Sequence, residues 1–241
     1  MAEYLIGTSG WHYADWRGRF YPEKMPPAQW LGYYARHFNT VELNNSFYRL
    51  PTDAAFDRWY TDTPADFTFA VKASRYITHI KRLQDTGEAL RKFMERAQRL
   101  REKLGPVLYQ LHPGMHRADR RLEAFLAELP PEAKHVIEFR HESWFAPEVS
   151  ALLRRYGVAE CAFDMPGLRS PLEATAHFAY MRFHGGEAKY ASEYTADELR
   201  DWAEKLKALG KEVKRIYIYF NNDVQGFALG NARTLREYLG A

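Results

Sequence analysis

The chain has 241 residues, 46% of them hydrophobic and 15% aromatic, which supplies a large core and excludes a disordered or fibrous protein. A formal net charge of +3 allows an anionic partner without demanding one, because nucleic-acid binders concentrate far more basic charge. Cys161 is the only cysteine, so no intrachain disulfide can form, and with no signal-like start and no apolar run near the ~20 residues of a membrane span, a cytoplasmic location is expected.

Eight short segments rich in β-branched and aromatic residues read as buried strands: 4–9, 40–44, 68–73, 107–112, 135–140, 159–164, 178–184 and 215–221. Between them, helical spacing predicts helices at 27–37, 54–60, 87–104, 120–129, 147–156 and 196–209, and 224–239 closes the chain. Thr86 is the expected cap of the third helix and Gly105-Pro106 its stop, while Thr195 with Glu198 forms a capping box ahead of a helix that Gly210 ends. Residues 165–175 hold Pro166, Gly167 and Pro171 and read as a long loop or an irregular crossover. Eightfold strand–helix alternation predicts one domain, 1–241, folded as an α/β TIM-like (β/α)8 barrel. A doubly wound open sheet is the competing architecture, but no Gly-rich dinucleotide loop follows the first strand.

A parallel strand covered on both faces is normally apolar throughout. Here polar residues recur two apart near strand ends, and such residues share a face. The pairs are Glu42 with Asn44, Lys72 with Ser74, Gln110 with His112, Glu138 with Arg140, Arg182 with His184, and Tyr219 with Asn221, while Asp164 closes the sixth strand alone. Any one pair is explained by a salt bridge. Convergence from seven strands points to a site at the C-terminal rim, where barrels build them.

Lys72, Arg140 and Arg182 stand against Glu42, Glu138 and Asp164, and His112 and His184 add groups expected to titrate near neutrality. Arg49, Arg75 and His79 lie just beyond. This mixture suits a small anionic, hydroxyl-rich ligand held by cations, with carboxylates as acid or base. His184-Gly185-Gly186 and Asn221-Asn222-Asp223 occupy the usual barrel phosphate position; the alternative is that 221–223 merely cap the last helix, and Asp223 would oppose an anion. Trp11, Tyr13, Trp16, Phe47, Tyr48, Tyr76, Trp144 and Tyr190 form a possible stacking collar, or else loop packing. A divalent metal is possible but not favoured, because no metal-binding histidine or cysteine motif is present and cations compete for the same carboxylates. No nucleophile elbow is present, and Ser9 within Gly7-Thr8-Ser9-Gly10 reads as a tight turn.

Several blocks together resemble the domain of unknown function 72 family, also called YecE-like. They are Gly7-Thr8-Ser9-Gly10-Trp11 with Tyr13 and Trp16, Phe20-Tyr21-Pro22, Thr40-Val41-Glu42-Leu43-Asn44 through Phe47-Tyr48-Arg49-Leu50-Pro51, and Phe69-Ala70-Val71-Lys72-Ala73. Gln110-Leu111-His112-Pro113, Glu138-Phe139-Arg140-His141, Arg182-Phe183-His184-Gly185 and Tyr219-Phe220-Asn221-Asn222-Asp223 extend the match to the end of the chain. The resemblance implies a TIM-like barrel and assigns no activity. That barrel is similar to those of the xylose-isomerase and endonuclease-four group, which use divalent metals, but the histidine-rich ligand set of those nucleases is missing here.

The expectation is an enzyme acting on a small phosphorylated or polyhydroxylated compound. Glu42 or Glu138 would serve as acid or base, Lys72, Arg140 and Arg182 would hold the anion, and His184 would assist proton transfer. Trp11, Tyr13, Asn44, Gln110, His112, Asp164, Asn221 and Asn222 would contact substrate. Hydrolysis, isomerisation and a lyase step stay open, as does the oligomeric state. A nucleic-acid-binding or repair protein using the mouth as a phosphate groove is the alternative, and a non-catalytic ligand-binding protein a third.

Overall fold

The computed structural model describes residues 2–185 and 192–241. Eight parallel strands form a nearly closed barrel: β1 (Glu3–Thr8), β2 (Thr40–Leu43), β3 (Thr68–Lys72), β4 (Leu104–Gln110), β5 (His135–Glu138), β6 (Ala159–Met165), β8 (Phe178–Phe183) and β9 (Arg215–Phe220). The remaining strand, β7 (Leu168–Arg169), folds back antiparallel on the end of β6, which gives part of the expected 165–175 loop a hairpin. Sheet order runs β1-β9-β8-β6-β5-β4-β3-β2. The remaining seam, between β1 and β2, is joined by a single parallel bridge from Ser9 to Glu42.

Alternation along the strands splits the apolar residues into two shells. Leu5, Ala70, Leu108, Val136, Ala159, Cys161, Phe178, Tyr180, Tyr217 and Tyr219 fill the lumen. Val41, Phe69, Val71, Ile137, Ile216 and Ile218 point outward against the helices. The lumen floor is therefore solid, and the charged side chains of the lumen sit where the strands end.

Two close approaches make this geometry possible. A side chain at Gly7 would collide with the Thr40 carbonyl, so glycine lets β1 and β2 come together at the seam. On β4, Gly105 and Pro106 do not stop a helix as expected but lie inside the strand. Pro106 has no N–H to give the ladder, and the β3–β4 register shifts between Phe69 and Val71 to accommodate it.

The helices at Pro147–Tyr156 and Ala196–Leu209 match expectation, and Thr195 with Glu198 makes the full capping box. Others differ. The first is a 3-10 turn, Pro27–Gln29, followed by only Trp30–Tyr34. The third is α-helical over Gly87–Ala97 and then 3-10 to Lys103, with Arg101 at φ 52° breaking it. Thr86 does not cap it; its hydroxyl donates to Glu128 instead. Short helical turns at Asn45–Tyr48 and Tyr76–Ile80, unforeseen from spacing, line the mouth after β2 and β3. No helix among the described residues is long and apolar enough to cross a membrane.

Candidate functional site

Glu42 leaves β2 pointing into the lumen, and its carboxylate is wholly enclosed. Oε1 accepts from Arg182 Nη2 at 2.8 Å and from the Ser9 hydroxyl, and Oε2 accepts from the Tyr180 hydroxyl at 2.6 Å. Arg182, on β8 and 1% exposed, reaches the other way to Glu138 with Nη1 at 2.7 Å. Glu138 Oε1 accepts from Arg140 Nε and from Gln110 Nε2 at 2.8 Å. The result is one continuous network, Glu42–Arg182–Glu138–Arg140, spanning three strand ends.

Arg140 Nη2 also lies 2.9 Å from His184 Nε2. A guanidinium only donates, so His184 offers a lone pair there. Burial, reinforced by Arg182 and Arg140, holds the His184 pKa well below the usual imidazole range. A neutral ring then carries its proton on Nδ1, 3.1 Å from the Asn221 amide, whose oxygen is the acceptor once the amide is oriented for it. His184 is thus no group titrating near neutrality, contrary to expectation. Burial acts to raise the Glu138 pKa, but Arg140 and Arg182 outweigh it, and the carboxyl stays ionised well below the usual range. Every strong acceptor position of these carboxylates faces a donor.

Lys72 ends β3 and behaves differently. It is 8% exposed, and its ammonium sits 4.2 Å from the centroid of the Phe47 ring. Among the described residues it makes no hydrogen bond and no ion pair. Burial first, then the Arg182 charge, lowers its pKa to about 7. His79, packed edge-on to both Phe47 and His112, is held down to about 4 by burial and by the charge of His112 and Lys72. The His112 Nδ1 accepts from the Gly114 backbone N–H at 2.9 Å.

A second arm begins at Ser9. Asn44 Nδ2 donates to the Ser9 hydroxyl at 2.5 Å, and Asn44 Oδ1 is buried without a partner. Tyr13 bridges the Ser9 carbonyl and Asp223 Oδ2 at 2.5 and 2.8 Å. Asp223 Oδ1 is also buried and unpartnered, and burial lifts this carboxyl to about 8. A neutral Asp223 satisfies the arrangement, since it can donate to Tyr13 while Tyr13 donates to Ser9.

Three expected site residues fall elsewhere. Asp164 pairs with Arg169 at 2.7 Å, because parity along β6 directs Cys161, Phe163 and Met165 inward and Asp164 away. Asn222 is fully buried, donating to the Asn231 side chain and the Ser192 carbonyl at 2.9 Å each, where it pins the last helix. Trp11 is buried edge-on to Trp59, and Trp16 and Trp144 are wholly enclosed, so these indoles hold loops down. Tyr48 and Tyr76 are the exposed collar members among the described residues; Tyr190 and Gly186 lie outside them.

Tyr180, Met165 and Phe163 went unread in sequence, and Ser9, expected in a tight turn, instead extends β1 by a parallel bridge to Glu42 and joins the network. Ser9 and Tyr180 carry a legible signal, since each lies two residues from another lumen position, Gly7 and Arg182. Among the described residues no group of three or more His, Cys, Asp or Glu side chains is placed to hold a metal ion.

A family model described as "Protein of unknown function DUF72" matches residues 5–241. UPF0759 protein YunF of Bacillus subtilis is 26% identical over 268 aligned positions, covering 97% of this chain and 94% of that protein. UPF0759 protein YecE of Escherichia coli K12 is 35% identical over 116 positions, 47% of this chain and 42% of that protein. A crystal structure of a DUF72 family protein from Thermotoga maritima is similar with a TM-score of 0.89 at 32% identity, covering 99% of this chain and all of that one, 100%.

Proposed function

The chain belongs to the DUF72 family, whose description assigns no activity, and on that premise we propose that it is an enzyme acting at the barrel mouth on a small anionic, phosphorylated or hydroxyl-rich compound. One observation carries the reading. Of the three mouth cations Lys72, Arg140 and Arg182, two are consumed by carboxylates and Lys72 alone is without an ion pair or hydrogen bond among the described residues. A largely buried amine with no hydrogen-bond partner among the described residues is costly to keep, and a ligand that approaches it recovers that cost.

In this reading Glu42 and Glu138 are not the working acid and base. They fix Arg182 and Arg140, which set the field around Lys72. Gln110, His112, Asn44 and Asn221 are the polar groups left to contact substrate hydroxyls at the edge of the network. Asp223 beside Tyr13 places a neutral, proton-bearing carboxyl on the opposite arm.

Titration calorimetry with ribose 5-phosphate and with inorganic phosphate tests the proposal. Saturable binding that weakens about tenfold or more in Lys72→Met, and is unchanged in the exposed control Lys211→Met, is expected. Equal affinity in wild type and Lys72→Met would remove the reading. Binding of single-stranded DNA that falls steeply with salt would favour the nucleic-acid alternative.

A further inference from the structure

We infer that Lys72 is a covalent nucleophile whose ε-amine forms an imine with an aldehyde or ketone bound in the mouth. The inference rests on the mouth being a substrate site, and it names the substrate class as carbonyl compounds.

The chain contains its own comparison. Lys103 is similarly buried, at 4% exposure, and its ammonium has the partners a structural lysine needs: the Tyr60 and Thr63 carbonyls at 2.6 and 2.7 Å and the Thr63 hydroxyl at 3.2 Å. Lys72, at 8% exposure, has the Phe47 ring and no acceptor among the described residues. The carboxylates near enough to help it, Glu138 and Glu42, are already engaged by Arg182 and Arg140. A packing role explains Lys103 and fails for Lys72.

The surroundings favour the uncharged amine that addition requires. Burial and the Arg182 and Arg140 guanidinium groups penalise a proton on Nζ more than Glu138, Glu42 and the Phe47 ring face favour one, which brings its pKa to about 7. The strand end holds the stem rigid, so the amine is presented at a fixed point of the mouth rather than on a mobile loop.

The chemistry balances without any additional reagent. The Nζ lone pair adds to the carbonyl carbon, a C–N bond forms, and the C=O π pair moves to oxygen, which takes a proton. The nitrogen passes one of its protons to solvent, giving a neutral carbinolamine. That carbinolamine loses its oxygen as water after a second protonation, while the nitrogen lone pair closes the C=N bond. One amine, one carbonyl and one proton give one iminium ion and one water. The iminium then draws electrons from the adjacent carbon, which is the basis of cleavage or dehydration of hydroxylated carbonyl compounds.

Wild-type protein is incubated with dihydroxyacetone phosphate and, separately, with glycolaldehyde, each with sodium cyanoborohydride, and the product is weighed and peptide-mapped. The expected result is an increment equal to the probe mass less one oxygen, located at Lys72. It should form about tenfold or more faster there than at any other lysine, and it should be absent from Lys72→Met but retained in Lys211→Met. Labelling spread over exposed lysines, with Lys72 no faster than the rest, overturns the inference. Calorimetry with glycerol 3-phosphate, which has no carbonyl, separates the two readings. Binding without trapping leaves the mouth as a ligand site and removes only the imine. Trapping by glycolaldehyde without glycerol 3-phosphate binding keeps the nucleophile and removes the anionic substrate.

Discussion

Arg182 and Glu42 meet at 2.8 Å across the lumen of the barrel, one from β8 and one from β2, and neither is open to water. β9 and β1 separate those strands in the sheet, so the pair braces the barrel internally beside its weakest seam. Because Arg182 also holds Glu138, a single guanidinium bridges two buried carboxylates, and its loss leaves Glu42 without its cation and Glu138 with Arg140.

Replacing it should therefore be severe. Arg182→Met is expected to cost about 3–5 kcal/mol in urea unfolding, the range for breaking a buried ion pair from one side. The double variant Arg182→Met with Glu42→Gln should recover part of that loss. A single-variant cost below about 1 kcal/mol would show that the network is not a brace.

Lys72 should make stability depend on pH. Its pKa falls from 10.5 in the unfolded chain to about 7 in the folded one. Between those values the unfolded chain binds the proton that the folded chain refuses, so this contribution rises with pH across the window and is least favourable below 7. At about 1.4 kcal/mol per unit, Lys72→Met should be more stable than wild type by the order of 5 kcal/mol at pH 6. The advantage should fade towards pH 10. A difference that stays flat with pH would mean that the folded lysine titrates normally.

Asp223 should act in the opposite sense. Burial raises its carboxyl from 3.8 to about 8, so between those values the folded chain keeps a proton that the unfolded chain has released. Its contribution is full near pH 4 and is lost as pH climbs to 8. Asp223→Asn should match wild type near pH 4 and exceed it by roughly 1–3 kcal/mol at pH 8.5. Thermal melts at the two pH values check this, and a variant weaker than wild type at pH 8.5 contradicts it.

The seam supplies a steric prediction. Gly7→Ala puts a methyl group into the Thr40 carbonyl, which is backbone and cannot swing aside. The β1–β2 approach must widen, and a loss of about 3 kcal/mol or more is expected, typical of severe overpacking. Because Ser9 and Glu42 form the bridge across that seam, ligand binding at the mouth should fall with it. Unchanged melting temperature would show that the strands tolerate separation.

Much of the fold was legible because it depends on local and periodic properties. Eight apolar segments separated by helical spacing imply a barrel, and polar residues two apart imply a lumen rim whichever way the chain closes. Glu42, Lys72, Gln110, Glu138, Arg140 and Arg182 were readable on those grounds. The resemblance to the DUF72 family rested on the same blocks.

The rest depended on contacts that sequence spacing does not encode. Asp164 looked like its neighbours until parity along β6 turned it outward, and Asn222 looked like Asn221 until the last helix claimed it. Three cations looked equivalent along the chain. Only the packing of β2, β5 and β8 around one lumen decides that the carboxylates exhaust Arg140 and Arg182 and leave Lys72 without an ion pair among the described residues, because charge pairing is settled by distances between strands remote in sequence.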